Sequence, residues 1–349
     1  MIPALLALCA HPDAWGADAF LIEAGGKQPR VAVAADGTVT VAYAIGTALK
    51  TRSSTDGGAS YAEAVTVGEI PKLMVGMRRG PQIAAGATAV VVAGIGSDGD
   101  MLAWRSADRG ASWSGPTRIN DQPSAAREGL FALAAGKGDA IWSVWLDLRE
   151  AKTRVYASRS DDGGQKWAAN RLIYASPEGS VCECCQPTIA ADGEGSVGIM
   201  WRNHLAGARD MYLSFSRDGG STFSPAKKLG SGTWKLAGCP MDGGDVDVAG
   251  RRAQMAWRRD NDLYAVSSQD PTKEIALGPG RNPTVAMVGD SVVRAWQRDQ
   301  EIVVARDAQP AVSVGRGSYP TLAASSTKAS SCFLAWEADD GARVMPITP

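Results

Sequence analysis

One turn motif recurs four times in the first two thirds of the chain. Its copies are Ser54-Thr55-Asp56-Gly57-Gly58-Ala59-Ser60-Tyr61, then Ser106 to Trp113, Ser160 to Trp167 and Ser216 to Phe223. The leading serines stand 52, 54 and 56 residues apart. A period of this length marks one supersecondary unit that buries its apolar face only by stacking on its neighbours. The motif has the chemistry of a hairpin turn. An Asp accepts hydrogen bonds from its own turn, Gly takes positive φ without a Cβ clash, and the aromatic folds back over the strands. Asp56, Asp108, Asp162 and Asp218 are therefore read as structural, not catalytic.

Other segments keep step with these turns. A Pro- or Gly-bounded apolar run opens each unit, at Pro29, Pro81, Gly129, Pro187, Pro240, Pro283 and Pro320. A second apolar strand follows and often ends in tryptophan: Trp145, Trp201, Trp257, Trp296, Trp336. A third strand, the turn and a fourth strand complete the unit, and four short strands per repeat make a propeller blade. The spacing predicts an all-β propeller over residues 18–349, of seven blades, with six as the alternative. The last unit supplies only three strands, so residues 19–24 are expected to add the fourth and leave no open sheet edge.

Composition removes several function classes. With 36 basic and 37 acidic residues the net charge is −1, unlike the basic surfaces that bind nucleic acid or anionic membrane. No stretch is long and apolar enough to span a bilayer. Residues 1–17 read as a short signal peptide, apolar over 2–10 but without a basic start. A lipoprotein at Cys9 is the alternative, with the large Leu8 against it. The expected location is periplasmic or secreted, and the expected state a monomer.

Blade topology indicates where chemistry would gather. The turn after strand three lies on one face, which the aspartate turns occupy. The loops leading into strand one and out of strand two share the other face and converge on the axis. Those positions are rich in arginine: Arg30, Arg79, Arg127 and Arg281 lead into blades, and Arg149, Arg202 and Arg258 follow the tryptophan strands, with Asp147 among them. Guanidinium forks match carboxylate and phosphate, so an anion-binding mouth is expected. The bland alternative is that some pair with neighbouring acids.

The four turns, with their S-x-D-x-G-x-x-W/F pattern, resemble the Asp boxes of sialidases and related propellers. The resemblance covers most of the chain through its repeats. It implies a six-bladed enzyme in which three arginines hold a substrate carboxylate, a tyrosine backed by a glutamate is the nucleophile, and an aspartate is the acid/base. By position Arg79, Arg127 and Arg281 would form the triad, and Tyr319 with Glu128 the nucleophile pair. Asp147 is the candidate acid, although no Asp stands between Val67 and Gly80, where the family would place one. The implied ligand is an anionic carbohydrate or another small anion.

The cysteines offer a different chemistry. Cys182, Cys184 and Cys185 form a C-x-C-C run, and Cys239 precedes Pro240 at the equivalent point of the next blade. Four sulfurs are thus expected at one boundary. Disulfides suit an exported chain. A thiolate site for copper or zinc suits soft sulfur, with His204 as a further candidate ligand, and a redox-active pair is the third reading. Cys332 lies in an apolar strand and reads as a small buried hydrophobe. Two functions remain open: a sialidase-like propeller that binds, or also hydrolyses, an anionic glycan, and a metal-binding or redox protein using the cysteine cluster.

Overall fold

The computed structural model describes residues 18–325 and 332–347; the expected signal peptide, residues 1–17, lies outside them. Seven four-stranded antiparallel sheets follow one another. Six blades run from inner to outer strand in chain order. Their inner strands are Lys27–Val33, Gln82–Ala85, Phe131–Ala135, Thr188–Ala191, Asp245–Ala249 and Arg281–Val288. The seventh blade comprises Ser318–Ala324, Cys332–Ala338, Gly341–Ile347 and, as its outer strand, Phe20–Ala24 from the start of the chain. Phe20 pairs with Val344 and Ala24 with Gly341. The ring has seven blades and not the six of the sialidase resemblance, and its first strand closes it as the short last repeat predicts.

The core lies between blades and not on the axis. Each of seven apolar clusters is shared by two neighbouring sheets: Trp142, Val144 and Leu146 of blade three meet Ile199 and Trp201 of blade four, and Ala42, Leu49 and Val67 of blade one meet Val90, Val92 and Trp104 of blade two. The five tryptophans that end second strands are all 3% exposed or less. Burying one aromatic side chain contributes about 1.5–3 kcal/mol, so every interface is held by at least one large anchor or its aliphatic equivalent. Because the wedges between blades carry the hydrophobic burial, the axis need not be packed.

The aspartate turns are built as the sequence indicates. In the second, Asp108 Oδ1 accepts from Ser112 N at 2.8 Å and Ser106 Oγ at 2.7 Å, while Oδ2 accepts from Ser112 Oγ. Ser106 Oγ accepts from Gly110 N at 2.7 Å, with Gly110 at φ 92°. Hydrogen bonds from the residue four places on hold Asp56, Asp108 and Asp218 down at about 2. Tyr61, Trp113, Trp167 and Phe223 each pack on an interblade cluster. Blades five to seven lack the motif, and blade five instead turns through residues 268–269 between Asp262–Ser267 and Asp270–Pro279.

Candidate functional site

The seven inner strands enclose an axial channel of about 630 Å³. Its wall is mostly Val, Ile and Ala, but at the face opposite the aspartate turns it becomes polar and charged: Arg30, Arg78, Gln186, Asp245 and Thr284. The backbone at this mouth is strained. Gln28, Met77, Arg78, Met241, Asn282 and Tyr319, all non-glycine residues, have φ between 50° and 68°. Such conformations cost about 1–3 kcal/mol each and collect where ligand sites are held. Gln28, Asn282 and Tyr319 each stand directly before a proline, and the ladder slips just there, between Lys27 and Arg30, Arg281 and Thr284, and Ser318 and Thr321. The proline removes a donor and the slip redirects the chain into the inner strand.

Two guanidinium groups meet inside this mouth. Arg78 Nε donates to Gln186 Oε1 at 2.9 Å, and Arg30 Nη2 donates to the same oxygen at 3.2 Å. Gln186 is fixed by its own amide, which donates to Phe131 O. Arg78 is 4% exposed and its Nη1 has no hydrogen-bond partner among the described residues. Arg30 is brought down to about 9, first by burial and then by the charge of Arg78. On the far wall Asp245 Oδ2 accepts from Thr284 Oγ1 at 2.7 Å and Val285 N at 3.0 Å. Burial pushes Asp242 and Asp245 upward against the pull of the arginines. Deeper in, Asp247 is raised to about 7 by burial, with Asp245 adding to the shift.

Beside the channel a second layer is closed. Arg202 is 1% exposed and donates to three backbone oxygens: Arg209 O at 2.7 Å, Asp242 O at 2.9 Å and Arg258 O at 2.9 Å. Arg258 Nη1 lies 3.5 Å from Asp242 Oδ2. Both guanidinium groups lie over the ring of Trp234. Asp242 also accepts from Asn282 N at 3.1 Å, tying the lead-in of blade five to that of blade six. Met77 and Met241, in the lead-ins to blades two and five, are 50% and 38% exposed.

The expected residues divide accordingly. Arg30 faces the channel. Asp147 does not face solvent: it is buried, accepts from Trp145 Nε1 at 2.8 Å, and takes the fork of Arg149 at 2.9 and 3.0 Å. Arg149 continues to Asp121 and lies 4.1 Å above the Tyr156 ring. This pair and Arg202 therefore support the fold around the mouth. Arg79 donates to Glu128 O and Arg127 is exposed beside Glu128; burial raises the Glu128 carboxyl, and Arg79 partly offsets it. Arg281 is exposed at blade six, across the ring from Arg79 and Arg127. Tyr319, on blade seven, makes no hydrogen bond to Glu128, three blades away on blade three. The residues the arginine count alone did not single out are Arg78, Gln186, Asp242 and Asp245. Their only signal is position, close to the opening of an inner strand.

The four sulfurs converge at the boundary of blades four and five. Cys184 and Cys239 are joined in a disulfide. Cys182 and Cys185 are free and buried, with Cys182 Sγ 3.6 Å from Cys185 Sγ and 3.7 Å from Cys184 Sγ. Arg209 Nη1 donates to Cys182 Sγ at 3.1 Å. The hydrogen bond from Cys185 and the charges of Arg202 and Arg209 bring the Cys182 thiol down to about 6, while burial drives Cys185 well up. Among the described residues the sulfurs of Cys182, Cys184 and Cys185 form one compact group, which His204 does not join. Cys332 is 1% exposed within its strand.

Comparison with known proteins agrees with this architecture. Similar solved structures include an α-L-arabinofuranosidase of Fusarium graminearum, at 13% identity and TM-score 0.53 over 95% of this chain and 98% of that one. The intramolecular trans-sialidase of Ruminococcus gnavus is 11% identical, with TM-score 0.50 over 96% of this chain and 98% of that one. The Aleuria aurantia lectin is 10% identical, with TM-score 0.51 over 94% and 97%. At these identities the likeness is one of fold. No curated protein sequence matches the chain. The BNR repeat-like domain model matches residues 88–297, more than half of the chain, and so the chain belongs to the BNR repeat-like propeller family.

Proposed function

We propose that the protein binds a carbohydrate carrying a carboxylate or another small anionic group, with the anion seated on Arg78 and Arg30 at the channel mouth. One observation carries this reading: on Arg78, a residue that lines the channel, the buried Nη1 has no hydrogen-bond partner among the described residues, and a second guanidinium shares the Gln186 oxygen that Arg78 Nε uses. The carboxylates of Asp242 and Asp245 balance part of this charge, yet none of the hydrogen bonds they make is to Nη1, which leaves a charge-assisted donor for a ligand oxygen. A bidentate carboxylate supplies that oxygen. The exposed Met77, next to Arg78 in the chain, offers apolar surface to a sugar ring.

Binding fits the site better than hydrolysis. A sialidase-like nucleophile needs a base within hydrogen-bond reach. Tyr319 and Glu128 stand on blades three apart, and Asp147 is engaged by Trp145 and Arg149. The structural relatives include glycosidases and a lectin, so the fold accommodates either role. An exported location matches both a glycan ligand and the Cys184–Cys239 disulfide. The test is calorimetric titration with sialylated, uronate-containing and neutral oligosaccharides, run beside a fluorogenic sialoside. Salt-sensitive binding confined to the anionic sugars, with no turnover, is expected. Equal binding of neutral sugars would overturn the anion site, and turnover abolished by Tyr319→Phe would replace binding with hydrolysis.

A further inference from the structure

Apart from the channel, the cysteine cluster has a geometry that packing alone does not require. Three sulfurs from one short run form a triangle with edges of 3.6, 3.7 and 4.0 Å. In a tetrahedral thiolate site with metal–sulfur bonds of about 2.3 Å, sulfurs stand about 3.8 Å apart. The fourth sulfur, Cys239 Sγ, is 2.13 Å from Cys184 Sγ. Reduction of that bond frees Cys239 as a fourth thiol bordering the triangle.

We propose that the reduced Cys182, Cys184, Cys185 and Cys239 cluster binds one thiophilic d10 metal ion, zinc(II) or copper(I). The charges at the cluster fit either ion. Zinc(II) with four thiolates and copper(I) with three both carry −2. Two arginines adjoin the run: Arg209, which donates to Cys182 Sγ at 3.1 Å, and the buried Arg202, whose carbonyl accepts from Cys182 N at 3.0 Å. Their positive charges oppose the −2 of the loaded site, as buried charge requires. Outer partners of this kind also orient the ligands. The run itself is held rigidly, with Val181 N donating to Thr153 O and Cys182 N to Arg202 O, both at 3.0 Å. Cys239 is exposed and gives the ion a path in.

Metal and disulfide exclude each other here. Reduction consumes two equivalents of a thiol reductant: the Cys184–Cys239 bond breaks, two thiols form, and the reductant becomes its own disulfide. Each thiol that then binds the ion releases one proton to solvent. The cluster is thus a site whose occupancy depends on redox state.

The test uses full-length protein reduced with a phosphine, freed of reductant under anaerobic conditions, and titrated separately with zinc(II) and copper(I). Bound metal is counted by elemental analysis, and cobalt(II) replaces zinc to report tetrahedral thiolate coordination in the visible spectrum. One tightly bound ion per chain in reduced protein, and none in oxidised protein, is the expected result in at least one arm, and the tighter arm names the ion. Cys182→Ser is expected to lower the affinity by more than about tenfold, and Arg209→Gln by about tenfold. If Cys182→Ser fails to fold, the exposed Cys239→Ser serves in its place. Reduced, folded protein that takes up neither ion would overturn the proposal, as would binding that Cys182→Ser and Cys239→Ser leave unchanged.

Discussion

Replacing Arg78 with methionine separates a ligand-binding arginine from a structural one. Methionine keeps an unbranched side chain, adds no charge, and meets the same left-handed backbone at φ 68°. The change removes one charge-assisted hydrogen bond, Nε to Gln186 Oε1 at 2.9 Å, at a cost of about 1.5–3 kcal/mol. Two effects oppose that cost. The buried, unpartnered Nη1 is removed, which recovers about 1–3 kcal/mol of desolvation. Arg30, held at about 9 by burial and then by Arg78, loses a like-charged neighbour. Asp242 and Asp245 lose a favourable charge, which offsets part of this gain. The net change in stability is therefore expected to lie within about 1 kcal/mol of zero, a shift in melting temperature of about 2 °C or less. Truncating a satisfied buried ion pair costs about 3–5 kcal/mol instead. Binding behaves differently, because the guanidinium contact to an anion is worth about 1.5–3 kcal/mol, or roughly 10- to 150-fold in affinity. Calorimetry with a sialylated oligosaccharide and a thermal melt of the same preparation read both quantities. A destabilised variant with unchanged affinity would show that Arg78 is a structural ion-pair member and refute the reasoning.

Three further outcomes follow from the same structure. Asp108→Ala lowers the melting temperature at neutral pH and leaves glycan affinity unchanged. Because the native carboxylate sits at about 2, below the ordinary value near 4, its contribution is present above pH 4 and fades as pH falls toward 2, so variant and wild type converge in acid melts. Asp247 has the opposite sign: at about 7 in the fold, it favours the native state below pH 4, and that advantage is lost as pH rises through 7. Asp247→Asn removes up to about 4 kcal/mol of this pH dependence, and a melt series in which variant and wild type stay parallel from pH 4 to 8 would contradict it. Deleting residues 18–24 leaves Gly341–Ile347 as an open edge, so light scattering is expected to show association, and a monomer of unchanged melting temperature would show that closure matters little.

The architecture was legible because its signals are local. Asp108 makes its turn bonds within four residues, so each turn announces itself in a short window, and the 52-to-56-residue spacing then counts blades. The missing fourth strand of the last repeat pointed to residues 19–24 for the same reason. The site was less legible because its contacts span the ring. Arg78 and Gln186 are 108 residues apart and meet only because blades two and four face one axis. Sequence marks arginines near the mouth but not their direction. Asp147 and Arg149, two residues apart, turn toward each other and Trp145, and Arg202 turns into backbone carbonyls. The meeting of Cys184 and Cys239 was readable, since both lead into adjacent inner strands, but which member of the run bonds Cys239 depends on side-chain direction.

The most direct measurement is a crystal structure of the protein soaked with a carboxylate-bearing sugar. Density is expected at the mouth opposite the aspartate turns, with a carboxylate oxygen at about 2.7–2.9 Å from the Arg78 guanidinium. An empty mouth at saturating sugar, or density on the face of the aspartate turns, would contradict it.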